Sequence, residues 1–418
     1  MQTNLSPEFK GTRDGEAAEA ILRKCVHCGF CTATCPTYQL LGDELDGPRG
    51  RIYLMKQVLE GGEVTRSTQQ HLDRCLTCRN CETTCPSGVD YGHLVDIGRK
   101  IVEQRVERPA GEKAVRWLLR EGLTSPLFAP AMKMGQLVRP LLPASLKNKV
   151  PVAAPTSANV WPTREHARKV LMLAGCVQPA MMPNINSATA RVLDAAGIQT
   201  LVEPKAGCCG ALRTHLNDHE GGLSDMRRNI DAWWPRVEGG AVEAIVMNAS
   251  GCGVQVKDYG HALAHDPAYA DRARRISALT CDLSEMLPEL VPALQKKMGS
   301  GLRRSLAFHP PCTLQHGQQL RGGVELHLRM LGFQVETALN ESHLCCGSAG
   351  TYSVLQPELA GQLRDRKLGH LAALERQVIV SANIGCIQHL QTGTATPVMH
   401  WVEVLDEALQ PGPVDRLP

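Results

Sequence analysis

Eight of the chain's 17 cysteines fall into two runs of one spacing: Cys25, Cys28, Cys31 and Cys35, then Cys75, Cys78, Cys81 and Cys85. Each run is closed by a proline, Pro36 or Pro86, so both read C-x2-C-x2-C-x3-C-P. An odd cysteine total argues against a disulfide framework. So does the lack of either the 7–15 apolar residues of an export signal or the ~20 of a membrane span. Metal or redox chemistry is therefore the expectation, in a cytoplasmic or peripheral protein. The 418 residues and 43% hydrophobic content allow two or three domains with real cores. Forty-five Lys plus Arg against 42 Asp plus Glu, with 4% aromatics, give no footprint for nucleic acid.

The duplicated run has the spacing of bacterial ferredoxin ligation. Three thiolates two residues apart on a tight turn reach three corners of one cubic iron–sulfur cluster, while the fourth is carried by an emerging helix toward a neighbour. Proline then removes a backbone donor and keeps the preceding residue extended. The expected assignment is crossed, with Cys25, Cys28, Cys31 and Cys85 on one 4Fe–4S cluster and Cys75, Cys78, Cys81 and Cys35 on the other. Structural zinc is the alternative, but four-ligand zinc does not call for two copies of this run. His27 lies between two ligands, yet no cysteine is missing for it to replace, so it reads as a hydrogen-bond donor beside the cluster or an exposed side chain.

Between the runs, Gly47-Pro48 breaks the chain, and Ile52, Leu54, Met55, Val58 and Leu59 recur at helical spacing. Arg49 and Arg51 either neutralise cluster charge, contact a partner or form an exposed basic loop. After the second run, DYGHLVDIGRKIVEQRVER reads as a helix ending before Pro109. From Arg99 to Lys149, eleven Lys plus Arg face four Asp plus Glu, and 122–149 holds no acid but four prolines. That stretch cannot be one regular helix; it suits a membrane surface, a docking partner or interdomain packing. Residues 151–163 have linker composition.

The remainder contains an internal repeat. Cys176, Cys208, Cys209 and Cys252 recur as Cys312, Cys345, Cys346 and Cys386, at offsets of 136, 137, 137 and 134 residues. Short β-rich runs alternate with helical patterns, which predicts a duplicated α/β unit with a small parallel sheet. The cysteines follow VLMLAG, AIVMNASG and VIVSANIG, and so lie past the carboxyl ends of strands, where open α/β sheets keep reactive groups. Ordinary buried thiols are the alternative.

The order of these parts resembles the iron–sulfur subunits of flavin-linked 2-hydroxy-acid and glycerol-3-phosphate dehydrogenases and heterodisulfide reductases. Within that group, GPRGRIYLMK (47–56), FHPPCTLQHGQ (308–318) and HLCCGSAGTYS (343–353) are similar to the glycolate oxidase branch. The resemblance implies a helical, ferredoxin-like domain with two 4Fe–4S clusters over 15–108, after a tail at 1–14. It further implies a connecting region at 109–165, CCG repeats at 166–292 and 300–408, and a tail at 409–418. The full CCG motif ends C-x-x-C, but Ala249 and Asn383 stand where its extra cysteines fall. The noncubane clusters of heterodisulfide reductases are therefore not carried over. The four cysteines of each repeat, with His309, are left to bind an ordinary cluster, another cofactor or a quinone.

No G-x-G-x-x-G opens a βα unit and no P-loop is present, so neither nucleotide nor flavin binding is indicated. A hydroxy acid loses two electrons together while a cluster accepts one. FAD on a partner dehydrogenase subunit is therefore expected to stand between substrate and this chain, which would be inactive alone and would pass electrons toward membrane quinone. A lactate or glycerol-3-phosphate dehydrogenase subunit and a thiol–disulfide reductase are the alternatives. The second repeat also carries His309, His316 and His343 close to its cysteines, either to handle protons at the electron exit or as structural histidines in a proline-rigid turn.

Overall fold

The computed structural model describes residues 1–143, 147, 150–153, 156–298 and 303–410. Its first third is helical. The helix Arg13–Lys24 starts where Thr12 accepts from the Gly15 N–H, with acids in its first turn and bases in its last. It packs with Pro48–Leu59, Arg66–Asp73 and Tyr91–Arg105 around Leu22, Met55, Leu72 and Leu94. Pro48 occupies the first helical position, where its missing N–H costs nothing. Residues 1–14, expected as a tail, instead belong to this core: Leu5 and Phe9 are buried in it, and Ser6 N–H donates to Leu59 O at 2.9 Å. Their apolar side chains supply the burial that an isolated tail lacks.

The connecting region holds two helices, Ala110–Thr124 and Phe128–Leu137, broken at Ser125-Pro126. The prolines thus exclude one continuous helix, while Pro130, in the first turn of the second helix, is tolerated. The linker composition of 151–163 does not leave it detached, since Ser187 Oγ and Arg191 Nη1 donate to Ala158 O. Parts of the basic stretch (144–146 and 148–149) and of the C-terminal tail (411–418) lie outside the described residues.

Two four-stranded parallel sheets follow. The first has β1 (Arg168–Met172), β2 (Ile198–Leu201), β3 (Ala244–Met247) and β4 (Thr280–Asp282) in the order β2-β1-β3-β4. The second repeats this as β6-β5-β7-β8, from β5 (Ser305–Phe308), β6 (Gln334–Thr337), β7 (Val378–Ser381) and β8 (Val398–His400). The β1–β3 register, Val170 to Ala244, recurs as Leu306 to Val378 in β5–β7. The inner strands β1, β3, β5 and β7 are largely buried beneath the helices, while the edge strands β2 and β6 are only partly so. One core runs through both repeats, joining Val170, Leu287 and Leu290 to Phe308, Val380 and Trp401. At the seam, Ser250 N–H donates to Ala382 O at 3.0 Å, and Arg191 pairs with Asp406 at 2.7 Å.

The glycine of each CCG triplet is fixed by geometry. Gly210 and Gly347 have φ of +94° and +89°. A Cβ on Gly347 would lie 2.5 Å from Ala360 O, and one on Gly210 would lie 2.9 Å from Gly222 O.

Candidate functional site

The two four-cysteine runs share one turn conformation. His27 and Thr77 have φ of 54° and 52°, and Gly29 and Arg79 have 85° and 57°. These left-handed residues curl each loop so that successive thiols face inward, and Thr77 N–H donates to Cys75 Sγ at 3.4 Å. Burial, together with Cys25, Cys85 and Cys28, pushes the Cys31 thiol up to about 11. Burial, Cys78, Cys75 and Cys35 push Cys81 well up. Cys25, Cys31, Cys78 and Cys81 thus have neighbours that the crossed pairing puts with them, Cys85 beside Cys25 and Cys35 beside Cys78, with Cys312 also close to Cys78.

Buried thiols that raise one another's proton affinity need a shared positive partner to become thiolates. Among the described residues, no three of these eight sulfurs lie within 4.8 Å of one another. A single tetrahedral zinc with metal–sulfur bonds of about 2.3 Å holds its thiolates about 3.8 Å apart. That close spacing is not found among these eight sulfurs.

Supporting side chains surround the second set. Arg99 clamps the loop through Leu72 O at 2.8 Å and Cys75 O at 2.6 Å. Arg51 is 1% exposed and donates to His71 O and Thr37 Oγ1 beside Asp46. It is a buried cation near Cys75 and Cys35, which removes the exposed-loop reading for this residue. Arg49 is half exposed, paired with Glu44 at 2.6 Å and close to Gly29 in the first loop. His27 is half buried beside it, its Nε2 without a partner.

The repeat cysteines converge as well. Cys176 and Cys209 flank Cys208, and Cys209 meets Cys252. The thiols of Cys176 and Cys209 and the N–H groups of Gly210 and Leu212 favour a thiolate at Cys208, whose pKa falls. In the second repeat Cys312 Sγ lies 3.6 Å from Cys345 Sγ, Cys345 meets Cys346, and Cys346 meets Cys386. All four are buried, and all four are pushed up. His309, 1% exposed, lies with Cys346 and Cys386, its donor atom within 4.8 Å of theirs. Neither of its ring nitrogens has a partner. An unpaired buried polar group costs about 1–3 kcal/mol.

A cavity of about 1340 Å³ opens between the helical domain and both repeats. Cys75 and Cys78 border it on one side, Cys176, Cys208, Cys209 and Cys252 on another, and Cys312, Cys345 and Cys386 on a third. Cys78 sits beside Cys312, and Leu76 packs among Tyr352, Leu359 and Leu363.

His309, His316 and His343, expected as a proton-handling group, do not line this cavity. His316 is committed elsewhere: Nδ1 contacts Thr83 Oγ1 at 2.8 Å, Nε2 contacts His343 O at 2.8 Å, and burial pushes its pKa down to about 4. The wall instead carries His93, His215, His219, His261 and His389. Burial disfavours charge on His93, but Asp258 and Asp90, accepting from its two nitrogens, push it up to about 10; it stacks on His261 at 4.0 Å. Burial pushes His215 and His219 down. No one sequence spacing connects these residues: His93, His261 and His389 come from segments more than 100 residues apart, and only His215 and His219 are near neighbours along the chain. Lys367 was equally hidden: it is 3% exposed, with Nζ on Glu341 O and near Cys345 and Cys346.

A family model for a 4Fe-4S dicluster domain matches residues 21–89, and one for a cysteine-rich domain matches 170–257 and 306–391. Across 411 residues the chain is 56% identical to the glycolate oxidase iron-sulfur subunit of Escherichia coli (strain K12), covering 98% of this chain and 100% of that protein. The chain belongs to the family of glycolate oxidase iron-sulfur subunits. A probable glycolate oxidase iron-sulfur subunit of Bacillus subtilis (strain 168) is 30% identical over 93% of this chain and 92% of its own length. Lactate utilization protein A of Geobacillus thermodenitrificans (strain NG80-2) is 26% identical, over 57% of this chain and 98% of its own length. Membership in the family and the dicluster domain make the chain an iron–sulfur electron-transfer subunit of an oxidoreductase.

Proposed function

We propose that the chain takes electrons from FAD on a partner glycolate dehydrogenase subunit and delivers them through its cavity to a quinone. The observation that carries this is the unequal exposure of the two thiol sets. Around the first, Val26 and Phe30 are 68% and 62% exposed and Cys28 is open to solvent. The second faces Cys312, Cys345 and the cavity. Cys25, Cys28, Cys31 and Cys85 would hold one 4Fe–4S cluster, and Cys75, Cys78, Cys81 and Cys35 the other. Such clusters supply one-electron steps between a hydride-accepting flavin and the acceptor. The chain's own residues do the rest: Arg99 fixes the inner loop, Arg51 balances buried thiolate charge, and Leu76, Leu359 and Leu363 keep water out of the crossing to the second repeat.

The exposed apolar face around Val26, Phe30 and Tyr53 is the docking face for the flavin subunit. No described helix is long and apolar enough to cross a membrane. Leu127, Leu137 and Leu141, exposed beside Lys133 and Arg139, suit peripheral attachment to the inner face of the cytoplasmic membrane, where quinone is found. The chain alone would oxidise no glycolate. A thiol–disulfide role for the first repeat is the second reading, favoured by the thiolate-stabilising surroundings of Cys208.

The test compares Cys312→Ser with Cys176→Ser in the assembled complex. Quinone reduction should fall on the order of 100-fold for Cys312→Ser, while reduction of a dye that takes electrons directly from the flavin persists. A larger loss from Cys176→Ser would move the route to the first repeat and support the thiol–disulfide reading.

A further inference from the structure

We propose that the helices Ala110–Thr124 and Phe128–Leu137 form a membrane-facing door to the cavity and hold the isoprenoid tail of a long-chain quinone between themselves and the first repeat. The inference rests on the quinone reading above and adds to it the route of entry and the part of the molecule that is gripped.

These two helices are unlike the others. Among the described helices of eight or more residues, they alone bury no residue. Both are nevertheless apolar on two sides. Phe128 and Met132, four residues apart and so on one side of their helix, line the cavity, as do Leu119 and Leu123 of the helix before it. Leu127 and Met134, seven apart and on the other side, are 74% and 61% exposed, and Trp117, Leu118, Leu137 and Leu141 are exposed as well. A helix apolar all round belongs in a protein core or against a bilayer, and no core of this chain takes these two.

The first helix is tied down on both sides, through Arg116 to Asp73 at 3.1 Å and through Glu121 to Arg213 at 2.8 Å. The second is held loosely. Among the described residues, its one side-chain hydrogen bond to the repeats runs from Gln136 Nε2 to Met181 O at 3.4 Å. Parting a single neutral bond costs about 0.5–1.5 kcal/mol, so the second helix can swing while the first keeps its place. Four bases and no acid fall between 122 and 149, which turns this side toward an anionic headgroup layer.

The lining selects a long apolar chain. Four of the 13 methionines, Met132, Met181, Met226 and Met247, border the cavity. Their thioether side chains adapt to a branched, flexible occupant better than stiffer side chains do. At about 1340 Å³ the cavity exceeds the roughly 300–1,000 Å³ of pockets that take drug-sized molecules, which leaves room for part of a tail beside the ring. With the ring toward Cys312, the tail leaves past Met181, Met132 and Phe128.

The test gives the assembled complex a tail-less quinone in solution, a long-tailed quinone in detergent, and the same long-tailed quinone in phosphatidylglycerol vesicles. Phe128→Glu should lower kcat/KM for the long-tailed quinone, relative to the tail-less one, by at least ~10-fold in detergent. Leu127→Glu combined with Leu141→Glu, on the outer side, should lower both vesicle flotation and the ratio of vesicle to detergent rates by at least ~10-fold. In the unaltered complex, where no variant has to fold, a quinone with a photoreactive group partway along its tail should label residues 117–141. Equal losses with both quinones in Phe128→Glu, labelling confined to other segments, or undiminished flotation of the outer variant overturns the proposal and leaves the quinone reading standing. Release of the flavin subunit by the outer variant also overturns it, since that side would then be a subunit interface. Reduction of neither quinone by the unaltered complex overturns the quinone reading and this inference with it.

Discussion

The helical domain meets the two cysteine-rich repeats by different physics, although the repeats share one topology. Toward the first, the contact is charged and polar: His93 with Asp258 at 3.1 Å, Glu121 with Arg213 at 2.8 Å, Glu103 with Asn217 at 2.9 Å. Toward the second it is apolar and closed by neutral hydrogen bonds. Leu76 packs on Tyr352, Leu359 and Leu363, Asn80 donates to His343 O at 3.2 Å, and Tyr352 donates to Arg74 O at 3.1 Å. Partly solvated polar and ionic contacts tolerate displacement better than packed apolar contacts do. Cys78 and Cys312, neighbours across this contact, lie on the packed side. Duplication supplied two equivalent units, and the docking surface made them unequal.

The strongest way to break this comparison is through the set that faces the second repeat. Cys35→Ser should abolish the iron–sulfur signal of the Cys75, Cys78 and Cys81 set, because Cys35 comes from the other run. Electron paramagnetic resonance checks this, and selective loss of the Cys25-side signal would refute the crossing. Next in size is Leu363→Ala, which should lower unfolding stability by about 2–5 kcal/mol through a cavity in the apolar contact. Denaturant unfolding of the iron-loaded chain reads it, and a change below that of an ordinary surface substitution would show the packed contact to be unimportant.

The charged side is sharpened by pH. His93 has its folded pKa raised to about 10, against about 6.5 when unfolded. Its contribution is therefore fully present below pH ~6.5 and lost as pH rises through ~10. The Tm difference between the unaltered chain and His93→Phe should correspond to about 2 kcal/mol at pH 6 and fade by pH 10. A difference that grows with pH contradicts the assignment. The smallest effect is expected from Thr83→Val, which removes one neutral hydrogen bond to His316 and should cost about 1 kcal/mol, independent of salt. Salt sensitivity there would mean that the second-repeat contact is not neutral after all.

What the sequence made legible follows from repetition. Evenly spaced thiols and a near-constant offset reveal two loops and two α/β units, because local turns and strand ends determine where those cysteines stand. The crossed pairing is an expectation from the same spacing, with which the nearness of Cys85 to Cys25 and of Cys35 to Cys78 agrees. The cavity was not legible, since His93, His215 and Cys386 reach it from three distant segments. The histidines of the second repeat illustrate the limit. Their closeness to cysteines was visible, but only the fold shows that His316 is tied to Thr83 while His309 is tied to nothing. The anchoring of residues 1–14 leaves no trace in the sequence, because two apolar side chains carry no periodicity, yet Leu5 and Phe9 are enough to hold a short segment.

Gly210 and Gly347 have a bearing on descent. Each sits where a methyl group would strike the backbone carbonyl of a neighbouring helix, so the requirement for glycine belongs to the scaffold and not to the thiols before it. A lineage that abandons redox chemistry can replace its cysteines singly without disturbing the sheet. Replacing the glycine would dislodge a helix. In degenerate descendants, the glycine after the lost pair is therefore the more durable marker of ancestry, and a search keyed to cysteine alone would pass them by.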